Sequence, residues 1–261
     1  MREFRDELSE TLGRNLVAVY LHGSIAFPDY DPNAGDLDYY VVVRKPLVHN
    51  EIIGLDRAHR RLATRFDSGR RLDGFYIPLA NARKAANPRG LVYGFHGRIH
   101  KGGPDDAWAL HREHFHQNAY IRLHGPKATS IFPTADWPSL RKALYRQLVY
   151  ARSIIETDAW WSVLTLCRLV YNFRNGRIVI SKLGAAKWAL KNLPAKSGPL
   201  IRSSIRVYQQ VGKRRASARL KREARKFLGF ASIRVIAFDT VWDKQQPHIA
   251  HLRKKTRIVG R

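Results

Sequence analysis

The sequence predicts two parts, a first half of mixed helices and strands and a second half of helices only. Short apolar runs rich in β-forming residues alternate with helical patterns in the first 125 residues. After residue 138 only helical periodicity is found, and three prolines in residues 125–138 indicate a boundary. We therefore expect an α+β domain with a mixed sheet and flanking helices at residues 1–130, and an all-α helical bundle at 131–261.

The elements of the first half follow from the spacing of its apolar residues. Phe4, Leu8 and Leu12 repeat four apart, which predicts one face of a helix over residues 3–14, and Gly13 is suited to end it. The other predictions are strands at 16–21, 37–43 and 72–77, a polar loop at 23–35 and a helix at 47–66.

The second half reads as a series of helices. The helix at 160–173 is apolar on several faces, as a central bundle helix is, and Gly176 can end it. Ala216, Leu220, Ala224 and Leu228 form a narrow apolar stripe on the last predicted helix. The other predicted helices lie at 140–156, 182–193, 201–211 and 213–228.

Composition predicts a folded protein in a reducing compartment. Hydrophobic residues make up 44% of the chain and aromatic residues 11%, which is typical of a globular protein and excludes a disordered one. Cys167 is the one cysteine, so no internal disulfide can form. No apolar run approaches the roughly 18 residues that span a bilayer, and no targeting segment is recognised. We expect a soluble, cytoplasmic protein.

Positive charge is concentrated in the second half. The formal net charge is +26; residues 1–125 carry 18 basic and 15 acidic residues, whereas residues 126–261 carry 29 and 6. The halves therefore have net charges of +3 and +23. Two interpretations stay open: an anionic partner for the second half, such as a polyanion or nucleic acid, or a generally basic surface.

One constellation in the first half predicts chemistry. Gly23-Ser24 is followed, after eleven residues, by Asp36-Leu37-Asp38 and an apolar strand. Residues two apart in a strand share a face, so the two carboxylates are expected to project together and to need a cation such as Mg²⁺. Gly23 and Ser24 are suited to bind phosphate. Each motif alone is more often a plain turn or surface feature.

Joined in this order, the motifs resemble the DNA polymerase β-like nucleotidyltransferase superfamily, whose pattern is Gly-Ser, a spacer and Asp-x-Asp on a strand. The resemblance implies a third carboxylate from a neighbouring strand, acting as metal ligand or as base, and Asp73 is the candidate. An unpaired carboxylate in an apolar strand would be costly. The alternative is a strand-edge aspartate paired with Arg70 or Arg71.

A second pattern lies in the helical half, in the segments Val163–Tyr171, Gly176–Ile178, Ser181-Lys182, Ala185–Ala189 and Leu193-Pro194. With these segments, the second half resembles the C-terminal domain of the aminoglycoside adenylyltransferases that act on streptomycin and spectinomycin. Together with the first motif, the resemblance covers most of residues 16–194. It implies that Arg168 and Lys182 contact the triphosphate of ATP; the alternative for Lys182 is an exposed lysine at a helix start.

The resemblance also has departures, which bear on the acceptor. Asp158 matches one of the family's acidic drug-binding positions, but Trp161 stands where a histidine is usual, and His96 stands where the matching segment ends in tryptophan. The implied function is Mg²⁺-dependent transfer of AMP from ATP to a hydroxyl of an aminoglycoside or aminocyclitol, as in antibiotic resistance. The alternatives are transfer to an RNA or protein hydroxyl, and a non-catalytic polyanion-binding protein.

Two further patterns have structural explanations. His111 and His114 lie one helical turn apart without a cysteine, which predicts a solvent-facing helix rather than a metal site. Eight of the fourteen residues from Lys213 to Lys226 are basic, and Arg253–Lys255 adds three more. These charges suit RNA or another polyanion, although a solvated helix face explains them equally well.

Overall fold

The chain divides into two compact units, residues 1–146 and 147–261. A computed structural model describes residues 1–32, 35–210 and 216–256, with side chains to residue 241. The predicted basic residues 213–215 and the side chains of 253–255 therefore lie outside the described residues. The predicted boundary at 130/131 stays a prediction.

The first unit is built on a mixed six-stranded sheet, which confirms the predicted fold class of this half. The strand order is β5-β4-β3-β2-β1-β6. β2 and β3 are parallel, whereas the other neighbouring strands are antiparallel. The strands are β1 (Leu16–His22), β2 (Leu37–Val43), β3 (Leu72–Pro78), β4 (Leu91–Phe95), β5 (Arg98–Gly103) and β6 (Ile121–His124).

Each face of this sheet packs against helices. Phe4 and Leu8 of the first helix join Tyr39 and Val41 of β2 in one buried cluster. The alternate residues of the strands, such as Tyr40, belong to a second cluster on the other face, with residues of the fourth helix. The helices are α1 (Arg2–Leu12), α2 (His49–Arg65), α3 (Leu79–Ala82) and α4 (Trp108–His116).

The predicted elements of the first unit are found within a few residues of their expected bounds, and Gly13 ends α1 with φ 47°. The strands that sequence reasoning missed are β4, β5 and β6. Most residues of β5 and β6, the two edge strands, are exposed, so no alternation of buried and polar positions marks them.

The second unit is helical, as predicted. α6 is its central helix: it packs against α7, α8 and α9, and Gly176 ends it in the left-handed conformation, φ 60°. Cys167 lies buried on α6, and burial raises the pKa of its thiol. The helices are α5 (Trp137–Ser153), which begins in the first unit, α6 (Ala159–Asn175), α7 (Lys182–Asn192), α8 (Gly198–Tyr208) and α9 (Ala218–Thr256).

No helix within the described ranges combines the length and apolar character needed to cross a membrane. α9 is the longest, and it carries basic residues along much of its length. It extends well past residue 228, where the apolar stripe predicted the last helix to end.

Candidate active site

The sheet register brings three ionisable side chains into one row. His22 at the end of β1 lies opposite Asp38 of β2, and Asp38 lies opposite Asp73 of β3. Each of these three residues is two positions along its strand from a side chain that packs in the cluster under α4. All three side chains therefore lie on that face of the sheet. Two carboxylates predicted from separate parts of the sequence are therefore neighbours.

Gly23 lies directly against the Asp38 carboxylate. Its φ is +70°, a conformation that glycine adopts without strain. A Cβ built on Gly23 would come within 2.8 Å of Asp38 Cγ and would overlap the carboxylate oxygen. The glycine is thus required both for the sharp turn after β1 and for the place that Asp38 occupies.

Ser24 links this turn to the segment that precedes β2. It lies in a one-turn 3₁₀ helix, Gly23–Ala26, and its Oγ donates a hydrogen bond of 3.4 Å to the backbone carbonyl of Asp36. Within the predicted loop at 23–35, the chain therefore makes a single helical turn at Gly23–Ala26. The Gly-Ser turn and the Asp-x-Asp segment nevertheless lie side by side.

Asp36 differs from the expectation in one respect. β2 begins at Leu37, so Asp36 precedes the strand and is exposed, and strand alternation does not fix its direction. Two side chains hold the preceding residue, Gly35, through its backbone carbonyl. Arg71 Nη1 donates to this carbonyl at 3.0 Å, and the Tyr30 hydroxyl donates to it at 3.3 Å. The charge of Asp36 still reaches Asp73, whose pKa it helps to raise.

Asp73 is a carboxyl group of the row whose pKa is strongly raised. Burial, and then the charges of Asp38 and Asp36, raise its pKa from 3.8 to about 7. The nearby arginines do not neutralise it: Arg70 donates to the Ala63 carbonyl, and Arg71 to those of Asp67 and Gly35. The alternative of a simple Asp73–arginine pair is not found among the described residues.

A buried network beside the row was missed by sequence reasoning. Asp105, 2% exposed, accepts hydrogen bonds from the Tyr40 hydroxyl and from His111 Nδ1, the latter at 3.0 Å. The prediction of a solvent-facing helix for His111 is wrong, because α4 packs on the sheet through Trp108 and Phe115. The available signal was the set of apolar residues on either side of these histidines, Trp108 and Leu110 before His111 and Phe115 after His114.

The network favours the protonated form of His111 near the carboxylates. Burial alone would lower the pKa of His111, but Asp105, and then Asp38 and Asp73, raise it. The His22 ring centroid lies 4.6 Å from that of His111, and burial together with His111 lowers the pKa of His22. An imidazole whose pKa is raised and one whose pKa is lowered therefore lie side by side.

The residues predicted from the second half lie on the helices of the second unit. Arg168 is half-buried on α6, and Lys182 begins α7 directly after Ser181, whose Oγ accepts from Gly184 N at 2.8 Å. Lys182 Nζ lies 4.9 Å from the Trp161 ring centroid, a cation–π distance. Asp158 precedes α6 and is half-buried. The roles of Arg168, Lys182 and Asp158 stay predictions.

The carboxylates fit a cation that is shared with a ligand. Within the described part of the chain, no three His, Cys, Asp or Glu side chains are arranged to hold a metal by themselves. Mg²⁺ commonly takes one or two protein carboxylates and completes its shell with phosphate oxygens and water. After burial, the charges of Asp38 and Asp36 contribute to the raised pKa of Asp73, and a cation beside these carboxylates would offset that repulsion.

Comparison with known proteins gives two findings and one negative result. Residues 130–233 match the family model described as the aminoglycoside adenylyltransferase C-terminal domain. Comparison with curated proteins found no match. Among solved structures, the chain is similar to the spectinomycin adenyltransferase AAD(9) from Enterococcus faecialis, solved with ATP and spectinomycin. The TM-score is 0.70 at 18% identity, over 89% of this chain and 96% of that one.

At this identity the structural likeness establishes the fold, and the family match covers the helical part that the sequence pattern had singled out. Both agree with the expected resemblance and confirm it. Residues 130–233 are therefore similar to the C-terminal helical domain of the aminoglycoside adenylyltransferases, and the chain has the α+β fold with a following helical region that is found in the solved spectinomycin adenyltransferase.

Proposed function

We propose that this protein transfers AMP from ATP to a hydroxyl group of an aminoglycoside or aminocyclitol of the streptomycin and spectinomycin type, in a Mg²⁺-dependent reaction. One observation carries the proposal: Asp38 and Asp73 are register neighbours, and Asp38 lies against Gly23 of the Gly-Ser turn. The solved relative, with ATP and spectinomycin, supports the choice of substrates.

Asp36 and Asp38 are the residues that would hold Mg²⁺, with Asp73 as a further ligand or as the base. The bound ion would offset the negative charge of the triphosphate during displacement at the α-phosphate. The amide groups of the Gly23-Ser24 turn and the Ser24 hydroxyl are suited to bind phosphate oxygens.

Asp73 is suited to take the proton of the acceptor. A general base works best when its pKa lies near the operating pH, and the pKa of Asp73 is about 7. The acceptor oxygen forms a bond to the α-phosphorus, the bond from that phosphorus to the bridging oxygen of pyrophosphate breaks, and the acceptor proton passes to an Asp73 carboxylate oxygen. The products are the adenylylated acceptor and pyrophosphate.

The second unit would supply the binding groups. Arg168 and Lys182 would neutralise the triphosphate, and the Trp161 ring would limit the directions that the Lys182 ammonium takes. Asp158 would pair with an ammonium or guanidinium group of the acceptor. These roles extend the family resemblance to positions of this chain.

A second candidate acceptor is an RNA or protein hydroxyl, and the basic second half favours it. A net charge of +23 over residues 126–261 repels a polycationic drug unless local acids screen it. The same charge attracts an anionic acceptor. A non-catalytic polyanion-binding protein would instead release no pyrophosphate with any acceptor.

Two readouts separate these candidates: the transfer of label from α-³²P-ATP to the acceptor, and the release of unlabelled pyrophosphate. Streptomycin, spectinomycin and RNA are offered separately, and we expect a labelled aminocyclitol product with one of the two drugs. Asp38→Asn should reduce release at least a thousandfold while the protein remains folded, since the position is partly exposed. Label found only in RNA would overturn the drug acceptor, and full activity of the variant would overturn the site.

A further inference from the structure

A basic groove lies within the second unit, and its lining includes none of the residues assigned to nucleotide transfer. α8, α9 and the turn before α8 enclose a volume of about 770 Å³. This groove, called the α8–α9 groove below, has apolar residues such as Leu200 and Leu220 and the hydroxyls of Ser203 and Ser217 in its lining. Its cationic residues are Lys196, Arg202, Arg206 and Arg219.

The four cations of the α8–α9 groove have no acidic partner among the described residues. Glu223 is the one acid in the lining, and it is paired with Arg222 at 3.4 Å and Lys226 at 3.2 Å. Arg206 has only a hydrogen bond of 3.3 Å to Ser203 Oγ. Four like charges around one groove repel each other, so an anion that contacts several of them is favoured.

The other basic residues of α9 are engaged differently. Arg225 makes two hydrogen bonds, of 2.5 and 2.8 Å, to the Glu156 carboxylate, and this pair fastens α9 to the turn before α6. The basic run is therefore not one uniform solvated face. Arg225 links α9 to the turn before α6, Arg222 and Lys226 pair with Glu223 within α9, and the cations of the groove lining remain available for a ligand.

We propose that the α8–α9 groove binds the phosphate backbone of a single RNA strand. Guanidinium groups pair with successive phosphates, and the serine hydroxyls are suited to donate to phosphate or ribose oxygens. The volume is that of a small-molecule pocket and admits one strand rather than a duplex. The lining contains no aromatic ring for base stacking, so binding should depend on phosphate and little on sequence.

The test measures how binding depends on salt. Fluorescence anisotropy with a labelled oligouridylate, at KCl concentrations from about 50 to 300 mM, gives the slope of log K against log[salt]. Each neutralised phosphate of a single strand contributes roughly 0.7 to this slope. Replacing Arg202 and Arg206 together by Gln (Arg202→Gln/Arg206→Gln) should therefore reduce the slope by about 1.4 (2 × 0.7) and weaken binding at least tenfold.

A matched control removes the same charge elsewhere in the second unit. Lys187→Gln/Lys191→Gln alters two exposed residues of α7 that lie outside the groove lining, so its slope should stay close to that of the unchanged protein. All four substituted positions are exposed, and circular dichroism checks that both variants fold. Equal losses in the two double variants would indicate diffuse attraction and would overturn the proposal.

Competition identifies the occupant. Unlabelled oligouridylate should displace the probe at a lower phosphate concentration than inorganic polyphosphate, and polyglutamate should be weakest. Equal displacement by polyphosphate or by polyglutamate would overturn RNA as the occupant. Pyrophosphate release by Arg202→Gln/Arg206→Gln should equal that of the unchanged protein, so this proposal and the proposed function can fail separately.

Discussion

The two faces of the sheet use the same strands for different purposes. Under α1 and α2, the residues from β2, such as Tyr39 and Val41, are fully buried, and the cluster is sealed by leucines of both helices. Under α4, Tyr40 and Val42 are equally buried, but the next residue of that face, Asp38, is partly exposed and carries charge. The same strand register thus places a buried core on the face under α1 and α2. On the face under α4 it places a row of ionisable side chains beside the buried residues.

This difference shows how a rigid core can hold two carboxylates together although their repulsion destabilises the fold. The carboxylates of Asp38 and Asp73 repel each other, and no local preference would bring them together. Burial of the opposite face supplies the stability that keeps β2 and β3 in register. Substitutions on the two faces should therefore affect different measurable properties, folding for one and chemistry for the other.

Gly23→Ala should have the largest effect on catalysis, at the face of the sheet that carries the ionisable row. The added Cβ would overlap the Asp38 carboxylate, and φ +70° is unfavourable for alanine. We expect adenylyl transfer to fall by about a thousandfold, comparable to the loss of an electrostatic catalytic group. Pyrophosphate release measures it, with Gly90→Ala as a control for a left-handed glycine whose Cβ meets no neighbour. Equal activities of the two variants would contradict the role of Gly23.

Leu55→Ala should show the opposite behaviour. Leu55 on α2 is fully buried under the sheet, so truncation leaves a cavity and should cost about 2–5 kcal/mol of unfolding free energy. Urea unfolding measures it, with Val48→Ala, 61% exposed, as the control that changes stability little. Transfer per folded molecule should stay the same. A lower rate per folded molecule would show that the two faces are not separable.

His111→Gln should affect stability in a pH-dependent way. Burial lowers the pKa of His111, but the Asp105 carboxylate outweighs this effect, and the pKa is raised in the folded protein. The protonated ring therefore favours folding. That contribution is fully present below the unfolded pKa of 6.5 and is lost as the pH rises through the folded pKa.

The variant should therefore lose roughly 1–3 kcal/mol at pH 5.5, less than for a fully buried pair because His111 is partly exposed. The difference from the unchanged protein should shrink at pH 8.5. Urea unfolding at both values measures it, with exposed His49→Gln as the control. A difference that grows with pH would reverse the assigned sign.

Asp73→Asn should have the smallest effect on folding, and a stabilising one. The pKa of Asp73 is raised from 3.8 to about 7, so the folded state is penalised as the pH rises through this interval. Removing the carboxylate should stabilise the protein by about 1 kcal/mol at pH 8, after solvent screening, and not at pH 3.5. Thermal unfolding at both values measures it. Destabilisation at pH 8 would show that the carboxylate has a compensating partner.

Part of the candidate active site could be predicted from the sequence. The Gly-Ser turn and the Asp-x-Asp segment could be predicted as neighbours because they flank two consecutive strands, which usually pair. The neighbourhood of Asp38 and Asp73 follows from the parallel register of β2 and β3, which no local pattern specifies. Asp105 was missed for a related reason: it precedes α4 in a turn, and only tertiary packing buries it against Tyr40 and His111.

The fold was predicted where elements are amphipathic and missed where they are not. α1 and α6 bury a consistent set of apolar residues, so their periodicity is readable. β5 and β6 lie at the sheet edges with mostly exposed residues, and their pairing depends on backbone hydrogen bonds rather than on side-chain pattern. The contact between Lys182 and Trp161 joins two helices and likewise has no local signal.

The one cysteine of the chain has a practical consequence. Cys167 is fully shielded within α6, and burial raises its thiol pKa, so little thiolate forms and maleimide reagents cannot reach it. The unaltered protein should thus give no background in site-specific labelling. A dye attached through Ser203→Cys in the α8–α9 groove would report on its occupancy in real time, with no native thiol to remove first.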